Sequence, residues 1–541
     1  MLLDVRDLCV EYLGGGSAYR AVDGVSFTIG RGEIHALVGE SGCGKTSTAL
    51  SIPQLLGSGG EIRGGQILFD GNDLVRAKKS ELRSLRGRHI ANIFQEPTTA
   101  LNPVLTIGEQ LRETIQTHRG VGRREAGAQG QHWLERVEIP HANDRMSAYP
   151  HELSGGMNQR VMIAMALACG PDLLIADEPT TALDVTVERR ILKLLVGLVK
   201  ELSIGVLLIT HDLPLAAQIS DQISVMNSAQ IVEQGVTSKV LSDAQHPHSR
   251  RLIQATPKLE ATEERPPDEP SAAKETAPSP ALLEFDSVRK SFALRGRNAQ
   301  DVVALDDVSL TIAPGETLGL VGETGSGKTT LGRCAVRLLE PDAGQVRFEG
   351  TDLGSLSSQE LRRHRAKFQM IFQNVTGALN PRQNVRKIVG EGLDLRGQGS
   401  PSERDDLVRN ALERVGLSAG DVSRFPHEFS GGERQRLGIA RAIVLRPALI
   451  VCDEPVSSLD VTIQSQILEL LRELRAEFRL TYLFISHDLR VVRHFCDRVA
   501  VLRDGRLLEV APTEEVFRSP AHEYTRELIR AARRDLRSDL G

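Results

Sequence analysis

The 541-residue chain lacks the features that would place it outside the reducing interior or inside a bilayer. Its six cysteines, Cys9, Cys43, Cys169, Cys334, Cys452 and Cys496, are far apart and none forms a C-x-x-C pair. That spacing predicts reduced thiols in a cytosolic protein and speaks against a disulfide or zinc framework. No run of about 18 apolar residues occurs, so the chain is not expected to span a membrane alone. The longest candidate, "VMIAMALACGPDLLIA" (161–176), is cut by Gly170 and Pro171. The opening "MLLDVRDLCVEYLGGG" has no basic segment leading into an apolar one, so no signal peptide is expected. A strong excess of either charge is also missing. With 66 basic and 71 acidic residues the net charge is −5, which gives no ground for wholesale nucleic-acid binding. What is present, 40% apolar and 25% charged residues, suits a globular protein too long for one core.

The dominant feature is a repeat. "GEIHALVGESGCGKTS" (32–47) returns as "GETLGLVGETGSGKTT" (315–330), and "NIFQEPTTALNP" (92–103) returns as "MIFQNVTGALNP" (370–381). "LSGGMNQR" (153–160), "LLIADEPTTALDVT" (173–186) and "VLLITHDL" (206–213) each return, in the same order, as "FSGGERQR" (429–436), "LIVCDEPVSSLDVT" (449–462) and "YLFISHDL" (482–489). So long a period means a duplicated domain rather than a solenoid. The intervening stretch is rich in Pro, Glu and Ala and reads as an extended linker. The expected division is residues 1–255, a linker over 256–282, and residues 283–541. Short apolar runs such as "IHALVG", "LLIAD" and "VLLIT" fit strands buried on both faces of a parallel sheet. Helical stretches such as "SELRSLRGRH" and "TVERRILKLLVGLVKEL" lie between them, so the predicted class is α/β with P-loop topology, written twice.

"GESGCGKT" (39–46) and "GETGSGKT" (322–329) fit G-x-x-x-x-G-K-[ST] after an apolar strand and before a helical stretch. Gly39, Gly42, Gly44 and Gly322, Gly325, Gly327 would let backbone N–H groups converge on phosphate oxygens, with the helix N-terminus adding favourable potential. Ser41, Cys43 and Ser47, and Thr324, Ser326 and Thr330, complete the two cradles. Lys45 and Lys328 would neutralise the outer phosphates, and Thr46 and Thr329 would offer hydroxyls to Mg²⁺. Each "DE" pair ends a strand. Asp177 and Asp453 suit a Mg²⁺ contact, whereas Glu178 and Glu454 suit a general base or a water-orienting group. His211 and His487 follow the next strand and would hydrogen-bond the γ-phosphate or the attacking water. Gln95 and Gln373 are candidates for touching Mg²⁺ or water; a loop glutamine of no special role is the alternative.

Ser-Gly-Gly at 154–156 and 430–432 opens a helical pattern in each half. Such a helix N-terminus can bind an anion, and a spare anion site in each copy suggests that the copies face each other. An ordinary N-cap serine is the plainer reading of the residue type. Cys43, beside a helix N-terminus and Lys45, is expected to be a thiol of lowered pKa, unless it is simply an inert small residue. Arginine-rich stretches at 361–367 and 526–540 are interspersed with acids and read as solvated helical faces.

Taken in order, P-loop, glutamine loop, Ser-Gly-Gly signature, Asp-Glu pair, "ALD" loop and post-strand histidine resemble the ATPases of ABC transporters over nearly the whole chain. The resemblance implies a head-to-tail pair of nucleotide-binding domains with two ATP molecules sandwiched between them and Mg²⁺ beside each. One site would join Lys45, Asp177, Glu178 and His211 to Ser430, Gly431 and Gly432. The other would join Lys328, Asp453, Glu454 and His487 to Ser154, Gly155 and Gly156. Asp184 and Asp460 would couple the sites. Tyr12 and Phe292 would stack on adenine, with Tyr19 competing for the first place. "FQEPTTALNPVLTIGEQLRETI", "QHPHSRRLIQATP" (245–257) and "SPAHEYTRELI" (519–529) resemble the ATPases of di- and oligopeptide importers, a group that includes glutathione and nickel systems. His248 stands where that group has Tyr, and Glu523 where it has Pro. Met157 and Glu433 replace the usual glutamine after the signature glycines, and the second D-loop reads "SSLD". None of these departures removes a catalytic group, so two competent sites are expected. The implied partners are two integral-membrane permease subunits and, indirectly, an extracytoplasmic solute-binding protein, with the chain peripheral on the cytoplasmic face of the inner membrane. The alternative is a tandem ATPase acting on ribosomes, which the short Pro-rich linker disfavours.

Overall fold

The computed structural model describes residues 1–14, 17–94, 100–180, 185–256, 281–292, 301–397, 399–457 and 459–533. In the first half, strands β1 (Leu3–Gly14), β2 (Ser17–Ile29), β4 (Gly60–Phe69) and β5 (Asn72–Asp73) form an antiparallel sheet in the order β2-β1-β4-β5. A second, six-stranded sheet runs β10-β9-β3-β8-β7-β6. It comprises β3 (Ile34–Gly39), β6 (Ile90–Ile93), β7 (Leu173–Asp177), β8 (Gly205–Thr210), β9 (Gln222–Asn227) and β10 (Gln230–Val236). All its pairings are parallel except β9 with β10. The second half repeats both sheets. β11 (Leu283–Phe292), β12 (Val302–Ile312), β14 (Ala343–Phe348) and β15 (Thr351–Asp352) are ordered β12-β11-β14-β15. β13 (Thr317–Val321), β16 (Phe368–Ile371), β17 (Leu449–Asp453), β18 (Thr481–Ile485), β19 (Arg498–Arg503) and β20 (Arg506–Pro512) are ordered β16-β17-β18-β13-β19-β20.

The apolar runs work as the period-2 rule requires. Along β8, Val206 and Leu208 enter one core cluster while Leu207 and Ile209 enter another on the opposite face. β7 divides in the same way, Leu174 and Ala176 against Leu173 and Ile175. In the second half Ile450 and Cys452 part from Leu449 and Val451. A strand buried on both faces cannot alternate apolar with polar residues. Truncating one such residue, for example Leu207→Ala, costs about 2–5 kcal/mol. Five of the six free thiols, all but Cys9, are buried packing groups. "SELRSLRGRH" is helical only over Lys79–Leu85; Gly87, at φ 76°, turns the chain toward β6 instead.

Eight helices matter to the site: α1 (Lys45–Ser51), α2 (Gly155–Leu167), α3 (Val185–Leu202) and α4 (Pro247–Ala255), then α5 (Lys328–Ala335), α6 (Gly431–Ile443), α7 (Val461–Phe478) and α8 (Glu523–Arg533). The halves touch directly. Thr186 Oγ1 donates to Glu323 Oε1 at 2.7 Å, and Arg490 Nη2 donates to Asp212 Oδ2 at 3.2 Å. Arg189 Nη1 donates to the Arg530 carbonyl at 3.1 Å. Helix α8, expected to be a solvated arginine-rich face, is therefore an inter-half element: Leu528 and Ile529 are buried and it packs on α3. Helix α4 packs on α7 in the reverse sense. Among the described residues no helix is long and apolar enough to cross a membrane.

Candidate functional site

Each G-x-x-x-x-G-K-T loop joins the carboxyl end of the central strand, β3 or β13, to a helix, α1 or α5. The glycine before each lysine is forced. Gly44 has φ 108° and Gly327 φ 105°. A β-carbon there would lie 2.2 Å from the Ala21 carbonyl oxygen or 2.3 Å from that of Ala304. Lys45 Nζ donates to the carbonyls of Gly39 and Glu40, both at 2.8 Å. Lys328 Nζ donates to those of Gly322 (2.7 Å) and Glu323 (2.8 Å). Both ammonium groups are buried within the loops' own curvature, so the cationic centre is built before any phosphate arrives.

The acid pairs end β7 and β17, adjacent to β8 and β18 at the sheet's carboxyl edge. Thr329 Oγ1 donates to Asp453 Oδ1 at 3.0 Å. Thr46 and Asp177 form the same bond, and burial raises both aspartate pKa values against it. A hydroxyl beside a carboxylate, at the foot of a phosphate loop, is a set of hard oxygen donors. It fits Mg²⁺, which takes few protein ligands and keeps several waters. Glu178 and Glu454 sit in left-handed backbone, φ 46° and 48°, uncommon for a residue with a side chain. Strain of this kind is held at functional sites. His211 Nδ1 is 2.7 Å from Glu178 Oε1, and His487 Nδ1 is 3.2 Å from Glu454 Oε1. Burial pushes the Glu454 pKa up, but the hydrogen bond and charge of His487 win and hold it low. For His211 burial works downward, and the bond to Glu178 raises the pKa on balance.

Gln373 Nε2 donates to Glu454 Oε2 at 2.8 Å, which brings the glutamine loop to the acid. One cleft of about 800 Å³ is lined by Gly325, Gly327, Lys328, Thr329, Thr330 and Gln373 together with Glu454 and His487. It also reaches Gly431 and Arg434 of the same half. A second cleft, about 720 Å³, is lined by Ser154, Gly155, Gly156 and Met157 of the first half and by Glu323 and Thr324 of the second. The first signature thus faces the second P-loop. Both signature serines also cap their own helices, Ser154 for Met157 N–H and Ser430 for Glu433 N–H. Gly156 and Gly432 admit the following helix of their own half, since a β-carbon would lie 2.6 Å from Val187 or 2.7 Å from Ile463.

Asp460 caps α7 by accepting from Ile463 N–H at 3.0 Å. Gln95 and Asp184 lie outside the described residues. Tyr12 and Tyr19 are cross-strand partners on β1 and β2. Tyr12 is half-buried and its hydroxyl accepts from Ser47 Oγ at 3.4 Å, whereas Tyr19 is 60% exposed. Phe292 is exposed, with Lys290 Nζ 5.9 Å from its ring. The reactive-thiol expectation for Cys43 is corrected. The residue is 7% exposed, and burial pushes its pKa up more than nearby Lys45 pulls it down. Sequence reasoning missed Thr186, Glu323, Tyr524 and the Asp212–Arg490 pair. The matching glutamate in both P-loops, Glu40 and Glu323, was the available signal.

A phosphate loop with its lysine, a hydroxyl-carboxylate pair and a half-buried glutamate held by histidine define a P-loop nucleoside triphosphatase. The chain belongs to the ABC transporter family, whose model matches residues 22–181 and 305–457, and it is an ATP-binding, ATP-hydrolysing member. A second model, the oligopeptide/dipeptide transporter C-terminal region, matches 232–280 and 508–536. The chain is 44% identical to the peptidoglycan transport ATP-binding protein YejF of Agrobacterium fabrum, over 98% of this chain and 96% of that protein. It is 42% identical to the glutathione import ATP-binding protein GsiA of Escherichia coli O157:H7, over 98% of this chain and 89% of that protein. A solved ATP-binding cassette, dimeric in a post-hydrolysis state with ADP and Pi, is 29% identical, matched over 43% of this chain and 99% of its own, with a TM-score of 0.40.

Proposed function

We propose that the chain is the energy-coupling ATPase of an ABC importer for peptides or peptide-like solutes, working through two composite ATP sites that its halves complete for each other. The observation that carries the two-site reading is the cleft in which Ser154, Gly155 and Gly156 oppose Glu323 and Thr324. In the second site the P-loop backbone and Lys328 bind the phosphates, and the first signature helix closes on the terminal one. Glu454, kept ionised by His487, accepts the proton of the attacking water, and Gln373 holds the glutamate's other oxygen. Since the carboxylate accepts, Nδ1 of His487 carries its proton. Thr329 and Asp453 would hold Mg²⁺, which would supply positive charge to neutralise the bound phosphates. The first site uses Lys45, Thr46, Asp177, Glu178 and His211, with Ser430, Gly431 and Gly432 as its signature, and Asp184 and Asp460 couple the pair. Tyr12 and Phe292 receive adenine.

The peptide reading rests on the two C-terminal-region matches and on the relatives, both of which name transport. No observation favours ribosome work. Two permeases at the cytoplasmic face of the membrane and an external binding protein follow as partners, because no described helix can provide a path across the bilayer. The test is reconstitution with the permeases encoded beside this chain. ATPase activity is then measured across dipeptides, oligopeptides, peptidoglycan fragments, glutathione and nickel. Stimulation at least about three-fold by one peptide class is expected; stimulation by nickel alone would move the solute class.

A further inference from the structure

Glu323, the second residue of the second P-loop, uses all its polar groups. Its carbonyl accepts from Lys328 Nζ at 2.8 Å. Its carboxylate accepts from Thr186 of the opposite half at 2.7 Å. Its N–H donates to the hydroxyl of Tyr524 at 3.2 Å. Tyr524 lies on α8, is 3% exposed, and carries the Arg503 guanidinium 4.6 Å from its ring centre. Helix α8 in turn packs on α3, whose Arg189 donates to the Arg530 carbonyl. Loop, tail helix and opposite half therefore form a closed circuit: Tyr524 to Glu323 to Thr186, then along α3 and back to α8.

The first half has the same parts in the same places. Its tail is anchored identically: Glu233 accepts from the N–H groups of Gln245 (2.7 Å) and His246 (3.1 Å), as Glu509 does from Ala521 (2.8 Å) and His522 (3.1 Å). His246 Nδ1 then accepts from His248 N–H, as His522 Nδ1 does from Tyr524 N–H. So His248 is the counterpart of Tyr524, Glu40 of Glu323, and Thr462 of Thr186. Here the circuit is open. His248 is 7% exposed and its Nε2 meets no hydrogen-bond partner among the described residues. The Thr462 hydroxyl is buried and likewise meets none among them.

We propose that Tyr524 is a positioning residue for the second ATP site. Its hydroxyl fixes the Glu323 peptide, and with it the loop that Lys328 and the phosphates share. Through α8 the tail links that loop to α3 of the other half. The second loop thereby carries a hydrogen-bonded tether to its tail that the first lacks among the described residues, so the two sites bind nucleotide unequally. This rests on the two-site reading above.

The test uses the full chain in two backgrounds, Lys45→Ala, which reports the second loop, and Lys328→Ala, which reports the first. A fluorescent ATP analogue is titrated into each. Tyr524→Phe keeps the ring and its packing but removes the acceptor. It is expected to weaken second-loop binding about three- to ten-fold, the worth of one hydrogen bond, and to leave first-loop binding within about two-fold. In the otherwise unaltered chain KM for ATP rises while kcat at saturation stays within about two-fold. Thr186→Val weakens the same loop, and the double variant loses less than the two losses multiplied, because both act on Glu323. Tyr524→His, which copies the first tail, behaves like Tyr524→Phe. Equal loss at both loops would reduce Tyr524 to a packing role, and no loss at the second would remove it from the site. Abolition of all binding in either lysine background would instead overturn the two-site reading beneath it.

Discussion

Glu433 Oε2 lies 2.8 Å from Ser430 Oγ and 2.8 Å from Ser430 N, so a carboxylate sits on the hydroxyl and N–H of the second signature serine. The first signature has Met157 at that place, which offers Ser154 no such acceptor. The N–H and hydroxyl of Ser430 hold the Glu433 pKa low, against a smaller opposing effect of burial, so the group is charged at neutral pH. A charge already resting on the donors repels an incoming phosphate. Glu433→Gln is therefore expected to tighten ATP at the first site about three- to ten-fold, measured in the Lys328→Ala background. Weaker binding would show that the carboxylate serves the helix more than it hinders the ligand. The sign with pH follows. The pKa is depressed, so the capping contribution is present above the usual carboxylate range and fades as pH falls through the lowered value.

Both proposed catalytic centres carry the same parts: a glutamate in left-handed backbone and a histidine on its carboxylate. Glu178→Gln and Glu454→Gln, made singly, are each expected to lower steady-state ATPase turnover by at least about half. At the altered site the loss is on the order of 10²-fold, as for removal of a general base. If either change leaves the rate untouched, that site was silent before it was altered.

Much of this architecture is legible in the residues themselves. Parallel strands buried on both faces must be written as unbroken apolar runs, so "IHALVG" and "GVLLIT" announce themselves, and a phosphate loop needs its glycines in fixed places. The signature was harder. A Ser-Gly-Gly helix start is physically just a cap, and both serines do cap their helices. The second role proposed for it depends on the position of the other half, which local sequence does not encode. The same holds for Thr186 with Glu323 and Arg490 with Asp212, each a contact between segments far apart in the chain that the packing of the two halves brings together. Cys43 failed for another reason. Helix terminus and lysine are visible in sequence, but the burial that outweighs them is a property of packing.

Cys43 should accordingly alkylate slowly with or without ATP. Burial disfavours its thiolate and hides its sulfur, while Cys9 is partly accessible. Iodoacetamide labelling followed by peptide mass spectrometry should find Cys9 modified well before Cys43. Cys43→Ser, which makes the first loop like Ser326 in the second, should leave turnover within about two-fold. Fast, ATP-protected labelling of Cys43 would restore the reactive thiol.

Glu188, one turn into α3, should make the contact between halves sensitive to pH. Burial and the charge of Asp212 push its pKa to about 7, against a hydrogen bond from Thr180 and the positive charges of Arg490 and His487. Thr180 Oγ1 is 2.7 Å from its Oε1. A carboxyl whose folded pKa is raised binds a proton that the separated or unfolded chain releases. Its stabilising contribution is thus greatest below its ordinary pKa of 4.5 and is lost as pH rises through about 7. Glu188→Gln imitates the protonated form at every pH. Thermal melts from pH 5 to pH 8 should show the natural chain losing about 1–3 kcal/mol of stability relative to the variant, most of it between pH 5 and pH 7, with the curves parallel above that. Parallel melting curves over the lower interval too would mean that Arg490 keeps Glu188 ionised throughout.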